Sequence, residues 1–178
     1  AGPRLEAALH FAGSDLRATL EALGLPLSGT DPARLRSGEG RFRLALQEGE
    51  AAFSDLAATL DGTRVTGAGV LRSGPRPSVG LGLVFDRLDF DGLLPADASE
   101  WPALAGRAAS TLDQNLRLAA DRVSWRGVAI GRAALDAATE AGRLALRRLA
   151  FRVGEVDVVA SGNAAFGQTP RLSDISVE

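Results

Sequence analysis

For acid, base or nucleophilic chemistry this 178-residue sequence offers carboxylates and hydroxyls, but only one histidine and no cysteine, lysine or tyrosine. His10 is the only histidine, and it alternates with Leu9 and Phe11 in a pattern typical of a strand. General-base catalysis needs an oriented partner for the imidazole, and no residue near His10 in the sequence supplies one. We therefore interpret His10 as a solvent-facing strand residue. No catalytic residue is predicted, and the chain is not interpreted as an enzyme.

The densest acidic group consists of Asp86, Asp89 and Asp91, with Asp89 and Asp91 expected on one strand face. A calcium loop needs a glycine and a ligand spacing that this stretch lacks. We interpret the three carboxylates as solvated charge at the end of a strand, and predict no metal site and no cofactor. Glycan hydrolysis by Asp86 and Asp89 is a third-ranked alternative.

Two further motifs are interpreted as structural. Gly67-Ala68-Gly69 lies inside a strand pattern and is followed by neither a lysine nor a helix, so it does not match a phosphate-binding loop. We expect its glycines to relieve crowding in a bent strand. Arg147 and Arg148 are adjacent, so in a regular strand their side chains would point to opposite faces and form no basic patch.

The composition excludes several classes of protein. With 46% hydrophobic and 24% charged residues the chain is not disordered. The 20 basic residues are all arginine and are balanced by 22 acidic ones, which disfavours nucleic-acid binding. Without cysteine there are no disulfides or thiolate metal sites, and no apolar run reaches the roughly 18 residues of a membrane span. Because methionine is also absent, we expect the sequence to be a piece of a longer protein.

The secondary structure is predicted to be mostly β. Alternating apolar residues indicate a strand over Arg4–Ala12, and leucines at helical spacing then predict a short helix over 15–23. From Gly40 onward the apolar period is two, with turn signals such as Asp61-Gly62 between strands. The alternation changes parity after Phe85, which predicts a β-bulge near Asp86-Arg87.

Two segments of the chain resemble each other. One begins at Leu56 and the other at Leu149, and each is predicted as a strand, a tight turn, a second strand, a Pro-Arg turn and a third strand. The alignment makes the hairpin loops differ by two residues and spaces the copies by about 95 residues. The predicted organisation is one continuous domain: a first β-meander repeat with the strand and helix over 1–95, an Ala/Pro-rich connector over 96–113, and a second, truncated repeat over 114–178.

The apolar face of these strands is the remaining candidate for function. It suits the dry core of a closed β-sandwich. It also suits an open, curled sheet whose concave face receives an apolar ligand. The low aromatic content of 5% and the alternation of Ala and Gly with Leu favour the open form, because few bulky groups are available to fill the middle.

Four stretches of the sequence resemble the AsmA-like family of bacterial envelope proteins, which includes TamB-type members. They follow the order expected for that family and together cover most of the chain. The stretches are GSDLRATLEALGLPL (13–27), FSDLAATLDGTRVTGAGV (53–70), FDRLDFDGLLP (85–95) and LRLAADRVSWRGVAIGRAALD (116–136).

The resemblance implies a periplasmic lipid-binding and transfer module that presents an apolar groove to phospholipid acyl chains or other lipids. It implies a parent protein anchored in the inner membrane by a segment absent from this sequence, a role in moving lipid toward the outer membrane, and partner proteins of the envelope. Pattern and resemblance together predict a mainly β fold: a twisted antiparallel sheet curled into an open groove, with a short N-terminal helix. The alternative is a structural or interaction domain with a closed core that acts in outer-membrane assembly.

Mapped onto this sequence, the groove lining takes one apolar residue from every second position of four strands. The predicted lining residues are Phe42, Leu44, Leu46, Leu81, Leu83, Phe85, Leu116, Leu118, Leu144 and Leu146.

Overall fold

A computed structural model describes residues 2–18, 35–92, 106, 111–166 and 171–178 of the chain. Nearly all of these residues lie in β-strands or in the turns that join them. The strands are β1 (Leu5–Gly13), β2 (Gly38–Gln47), β3 (Glu50–Leu60), β4 (Thr63–Arg72), β5 (Ser78–Phe85), β6 (Leu88–Asp89), β7 (Asp113–Ala120), β8 (Val123–Trp125), β9 (Val128–Ile130), β10 (Ala133–Glu140), β11 (Arg143–Val153), β12 (Val156–Ala165) and β13 (Arg171–Val177).

Ten of these strands form one large sheet in the order β1-β2-β3-β4-β5-β7-β10-β11-β12-β13, and β6, β8 and β9 form a second, small sheet. The large sheet is twisted and does not close into a barrel, so the prediction of a mainly β, open sheet is confirmed. Its neighbouring strands are antiparallel except for β5 and β7, which run parallel. The predicted antiparallel sheet is therefore a mixed sheet, with one parallel pair at its centre.

Tight turns explain why consecutive strands pair. Asp61–Gly62, Arg126–Gly127 and Ala141–Gly142 are two-residue turns in which both residues have positive φ. This geometry matches the right-handed twist of the flanking strands, and glycine at the second position favours it. The Asp61-Gly62 hairpin predicted from the sequence is thus confirmed.

The chain leaves the large sheet after Phe85, where the sequence predicted a bulge. Asp86 and Arg87 connect β5 to β6, which pairs with β8 in the small sheet. The predicted bulge at these two residues is wrong. The change of apolar parity there marks a strand that passes from one sheet to another.

The repeat is more regular than the sequence alignment indicated. β3 begins at Glu50 and β11 at Arg143, a step of 93 residues (143 less 50), and both strands have 11 residues. The same step relates β4, which begins at Thr63, to β12, which begins at Val156, and both of these have 10 residues. The two hairpins are therefore copies of each other.

The predicted two-residue difference between the hairpin loops is wrong. Asp61–Gly62 and Gly154–Glu155 are both two-residue connections. With a constant step of 93, Gly162 corresponds to Gly69 and not to Gly67. The sequence alignment slipped by one pair of residues because a shift of two keeps side chains on the same face of a strand, so the apolar pattern does not penalise it.

Residues 16–18 are helical, and the backbone N–H of Ala18 donates to the Asp15 carboxylate at 3.1 Å, as expected of an N-cap. The rest of the helix predicted over 15–23 lies outside the described residues. So does most of the connector predicted over 96–113, although Asp113 belongs to β7.

The described chain has little conventional core. Ala58, Val65, Ala120, Val123 and Ala137 are its buried apolar residues, and no large side chain is fully buried. The chain exposes 11720 Å² to solvent, whereas a compact monomer of its mass would expose roughly 8,200 Å². Within the described ranges each strand of the large sheet contacts mainly its neighbours, and β9 of the small sheet also contacts β11.

Candidate functional site: the apolar face of the large sheet

The register of the large sheet places apolar side chains opposite one another on all ten strands. In the first half, Leu9 of β1 faces Phe42 of β2, and Val65 of β4 faces Phe85 of β5. The same side continues across the parallel junction and into the second copy, as far as Val177 of β13. We call this side of the sheet the apolar face and the other side the polar face.

All ten residues predicted to line a groove lie on the apolar face. Leu44 and Leu46 continue the row begun by Phe42, and each is only half-buried. At the junction, Leu81 faces Leu116 and Leu83 faces Leu118 across parallel strands. Phe85, Leu144 and Leu146 complete the set, and all three are half-buried as well.

The sequence-based set omitted apolar residues that share this face, among them Phe53, Leu56, Leu135, Leu149 and Phe151. The omission has a physical cause. The apolar period of two breaks between Phe53 and Leu56 and again between residues 146 and 149, which obscures which side each strand presents. An apolar step of three within an otherwise alternating strand is the signal of a bulge that returns the pattern to the same face.

Bulges do occur at those two steps. In β3, the two residues Ser54 and Asp55 lie opposite the single residue Ala68 of β4. In β11, Arg147 and Arg148 occupy the equivalent place, 93 residues later. Because both arginines belong to a bulge, they share the polar face, contrary to the expectation from a regular strand.

A third bulge lies in β13 at Asp174, which like Asp55 has a positive φ of 54°. The register sets the bulges close to one row that crosses the sheet at mid-strand. A bulge bends its strand and increases the local twist, so bends on one row fall along a single line that runs across the strands. From β4 to β12 the row passes through Ala68, Gly82, Arg117, Asp136, Arg148 and Ser161.

Charged and polar side chains pair along this row on the polar face. Such partly exposed pairs contribute little stability individually. They do give partners to charged side chains beside the bulges. The pairs are Arg43 with Asp55 (3.2 Å), Arg117 with Asp136 (3.4 Å), Arg147 with Asp136 (3.0 Å) and Asn163 with Asp174 (3.2 Å).

Glycines let large side chains lie close to the apolar face. A Cβ at Gly69 would come within 2.5 Å of the Phe53 ring and 2.7 Å of Leu81. At Gly67, where φ is +151°, a Cβ would lie 2.0 Å from the carbonyl oxygen of Gly82. The expectation that these glycines relieve crowding in a strand is confirmed.

One end of the apolar face is covered by other parts of the chain. Leu16 packs there, since a Cβ on Gly38 would lie 2.2 Å from its Cδ1 atom and 2.9 Å from Leu60. At the same end Arg87 donates from its side chain to the carbonyl of Gly62, which ties the approach to the small sheet to the β3–β4 turn. The buried residues other than Ala137 cluster toward this end, and the rest of the face is half-buried or exposed.

Asp61 stabilises this covered end through hydrogen bonds to backbone N–H groups. Its carboxylate accepts hydrogen bonds from the backbone N–H groups of Leu35, Arg36 (3.0 Å) and Ser37 (2.8 Å), and Leu35 and Arg36 in turn accept from Arg17 and Leu16. Partial burial opposes ionisation of Asp61, but these bonds outweigh it and lower the pKa of the carboxyl group.

Asp113 performs a comparable role at the parallel junction. It accepts a side-chain bond from Arg76 and a backbone bond from Ala141 at 3.0 Å, and its own N–H donates to Pro77. The bond from Arg76, followed by the bond from Ala141, lowers the pKa of Asp113. The β4–β5 connection, the start of β7 and the β10–β11 turn are thereby held together.

Two surface hollows are lined by residues of both faces, since the first includes Leu144 and Leu172 and the second includes Phe11 and Ala58. The first, of about 860 Å³, is also lined by Arg143, Arg147 and Arg171 beside small residues, and the second, of about 550 Å³, lies near His10 and Arg41. Neither hollow includes the leucines of the central junction, Leu81, Leu83, Leu116 and Leu118.

The acidic residues singled out in the sequence accept hydrogen bonds, chiefly from backbone N–H groups. Asp86 accepts from the N–H of Arg64 at 2.8 Å, and this bond is the main cause of its lowered pKa. Asp89 accepts from Ser124 and from the N–H of Asp91, and Asp91 accepts from the N–H of Arg126 at 2.6 Å. Asp91 lies in a short 3-10 turn after β6, so it does not share a strand face with Asp89.

His10 is exposed on the polar face of β1 opposite Arg41, as expected of a solvent-facing strand residue. Within the ranges that the structure describes, no three His, Cys, Asp or Glu residues come together as metal ligands. No helix in those ranges has the length and apolar character to cross a membrane.

Comparison of the chain with protein-family models, curated proteins and solved structures finds no match. The resemblance to the AsmA-like family therefore remains a prediction from the four sequence stretches. What the chain does has to be argued from the geometry of the apolar face.

Proposed function

We propose that the apolar face binds the acyl chains of phospholipids or other lipids, and that the protein is a non-enzymatic lipid-binding and transfer module. One observation carries the proposal. Ten adjacent strands present apolar side chains to the same side, and beyond the covered end most of these side chains are half-buried or exposed. An apolar surface of this extent is unusual on a soluble monomer and marks an interaction site.

The dimensions suit an acyl chain. Nine spacings of about 4.8 Å between ten strands give a face roughly 43 Å wide. A bilayer core about 30 Å thick holds two layers of tails, so one extended tail covers about three strand spacings. The row of bulges supports a shallow trough whose axis runs across the strands, and a tail lying along that axis would meet a similar surface on each strand.

The energetics need no specific polar contact. Burial of an acyl chain gains roughly 0.8 kcal/mol per methylene, and headgroups stay in water. Because Leu81, Leu83, Leu116 and Leu118 continue the face through the junction of the two copies, a tail would slide from one copy to the next without a large barrier.

The resemblance extends the proposal to the cell. On that basis we place the protein in the periplasm, with its parent anchored in the inner membrane and lipid moving toward the outer membrane. Partner proteins of the envelope belong to the same proposal. These statements rest on the four sequence stretches alone.

A pair of neighbouring residues in β5 offers a matched test. Leu83 lies on the apolar face, whereas Val84 lies on the polar face and is 50% exposed. We would measure binding of a fluorescent fatty acid to the unaltered chain, to Leu83→Glu and to Val84→Glu, and analyse lipids that co-purify with each by mass spectrometry.

A carboxylate at position 83 stays hydrated and prevents the burial of about two methylenes of a tail. The binding free energy lost is about 1.6 kcal/mol, or roughly tenfold in affinity. Val84→Glu should bind as the unaltered chain does. Equal affinities for all three proteins, or a chain that neither carries nor binds lipid, would reject the proposal and favour the structural or interaction domain.

A further inference from the structure

The large sheet consists of two five-stranded units related by the repeat. The first unit is β1 to β5, and the second is β7, β10, β11, β12 and β13. β13 stands to β12 as β5 stands to β4, since Leu172 faces Ala164 as Val79 faces Leu71, 93 residues earlier. The units therefore share one strand order, and they meet where the last strand of the first pairs in parallel with the first strand of the second.

The first strands of the two units are equivalent as well. Leu9 faces Phe42 of β2, and Leu118 faces Leu135 of β10, which lies 93 residues after Phe42. β1 is thus the counterpart of β7, and β13 is the counterpart of β5. The two outer edges of the sheet are therefore formed by the counterparts of β5 and β7, the two strands that pair at its centre.

The outer sides of β1 and β13 pair with no other strand in the described ranges and carry exposed apolar side chains. Leu172, Ile175 and Val177 of β13 are 70%, 62% and 66% exposed, and Leu5 of β1 is 60% exposed. Neither strand contains proline, and the one feature of β13 that can protect an edge from pairing is its bulge at Asp174.

We infer that the outer edge of β13 binds β1 of a second copy of this chain, in parallel, as β5 binds β7 within one copy. The internal junction sets the register. Val79 faces Gln114 and Leu83 faces Leu118 there. Transferred to the edges, Leu172 faces Leu5 of the second copy and Val177 faces its Leu9.

The bulge in β13 is compatible with this pairing. The register of β3 shifts against both β2 and β4, so this sheet accommodates a bulged strand with a neighbour on each side. With Asp174 as the extra residue, Ile175 faces Ala7 of the second copy, and the apolar face continues without a break. Glu178, directly after β13, then lies opposite His10 of the second copy.

Such an interface joins two different surfaces, so it is open-ended and extends the sheet by ten strands with each added copy. The inference does not depend on the proposed lipid binding. Association without lipid binding would contradict only the proposed function. Lipid binding by a strict monomer would contradict only the inferred association.

Cysteine pairs give a direct test because the chain contains none. Two proteins would be made, one carrying Leu5→Cys and the other Leu172→Cys, and mixed under mild oxidation. Facing positions on paired strands lie within the separation that a disulfide spans. We expect a disulfide-linked heterodimer from the mixture, and no more than background homodimer from either protein alone.

Register is tested with Leu9→Cys, which should join Val177→Cys but not Leu172→Cys, since residues 5 and 9 are about 13 Å apart along a strand. The unaltered chain should show weight-average mass that rises with concentration in sedimentation equilibrium, and Leu172→Lys with Ile175→Lys should abolish the rise. Equal linkage of matched and mismatched pairs, dominant homodimers, or a monomer at all concentrations would overturn the inference.

Discussion

Replacement of Asp61 by alanine would remove the carboxylate that fastens the covered end of the apolar face. The variant leaves three backbone N–H groups, those of Leu35, Arg36 and Ser37, without their acceptor. Each such bond contributes about 0.5–1.5 kcal/mol. Since water reaches this site, the lower part of that range applies, and the expected loss is about 2 kcal/mol.

For a chain of 178 residues, a loss of this size lowers the melting temperature by about 4–8 °C. Thermal unfolding followed by circular dichroism would measure it at pH 7. The control is Glu155→Ala, which removes an exposed carboxylate from the corresponding turn of the second copy, where Gly154 stands in the place of Asp61. Glu155→Ala should unfold within about 1 °C of the unaltered chain.

The pH dependence follows from the lowered pKa of Asp61. A carboxyl group whose pKa is lower in the folded state stabilises above its unfolded pKa, near 4, and loses that contribution as the pH falls through the folded value. The difference between Asp61→Ala and the unaltered chain should therefore be full at pH 7 and should shrink below pH 4. Equal melting temperatures at pH 7 would refute the role assigned to this residue.

Two further changes test the junction and the close approach of β4 to β5. Asp113→Asn should lower the melting temperature at pH 7, with a difference that decreases on acidification below pH 4, because the pKa of Asp113 is also lowered; a difference independent of pH would contradict this. Gly67→Ala should destabilise the chain by about 2–4 kcal/mol in urea unfolding, from overpacking against the carbonyl of Gly82 and from its positive φ. Gly82→Ala, whose Cβ would meet nothing within 4 Å, is the control, and equal effects of the two would exclude the steric explanation.

Local pattern accounts for most of the elements. A period of two in the apolar residues predicts a strand wherever neither a bulge nor a change of sheet intervenes, as in β5, where Val79, Leu81, Leu83 and Phe85 all lie on one face. Asp61-Gly62 specifies its turn through the backbone conformations that these residues tolerate. Such information lies within a few adjacent residues, so the sequence alone is sufficient to predict the structure there.

The sequence by itself determined that this chain is mainly β, that its strands have one apolar side, and that its second half resembles its first. Which strands are neighbours was decided by the tertiary structure: the parallel pairing of β5 with β7, the passage of Asp86 and Arg87 into a second sheet, and the row of bulges through Asp55 and Arg147. These features depend on contacts between residues far apart in the chain. A shift of two residues leaves every side chain on the same face, so only the hydrogen bonds and close contacts between strands distinguish the true register from its neighbours.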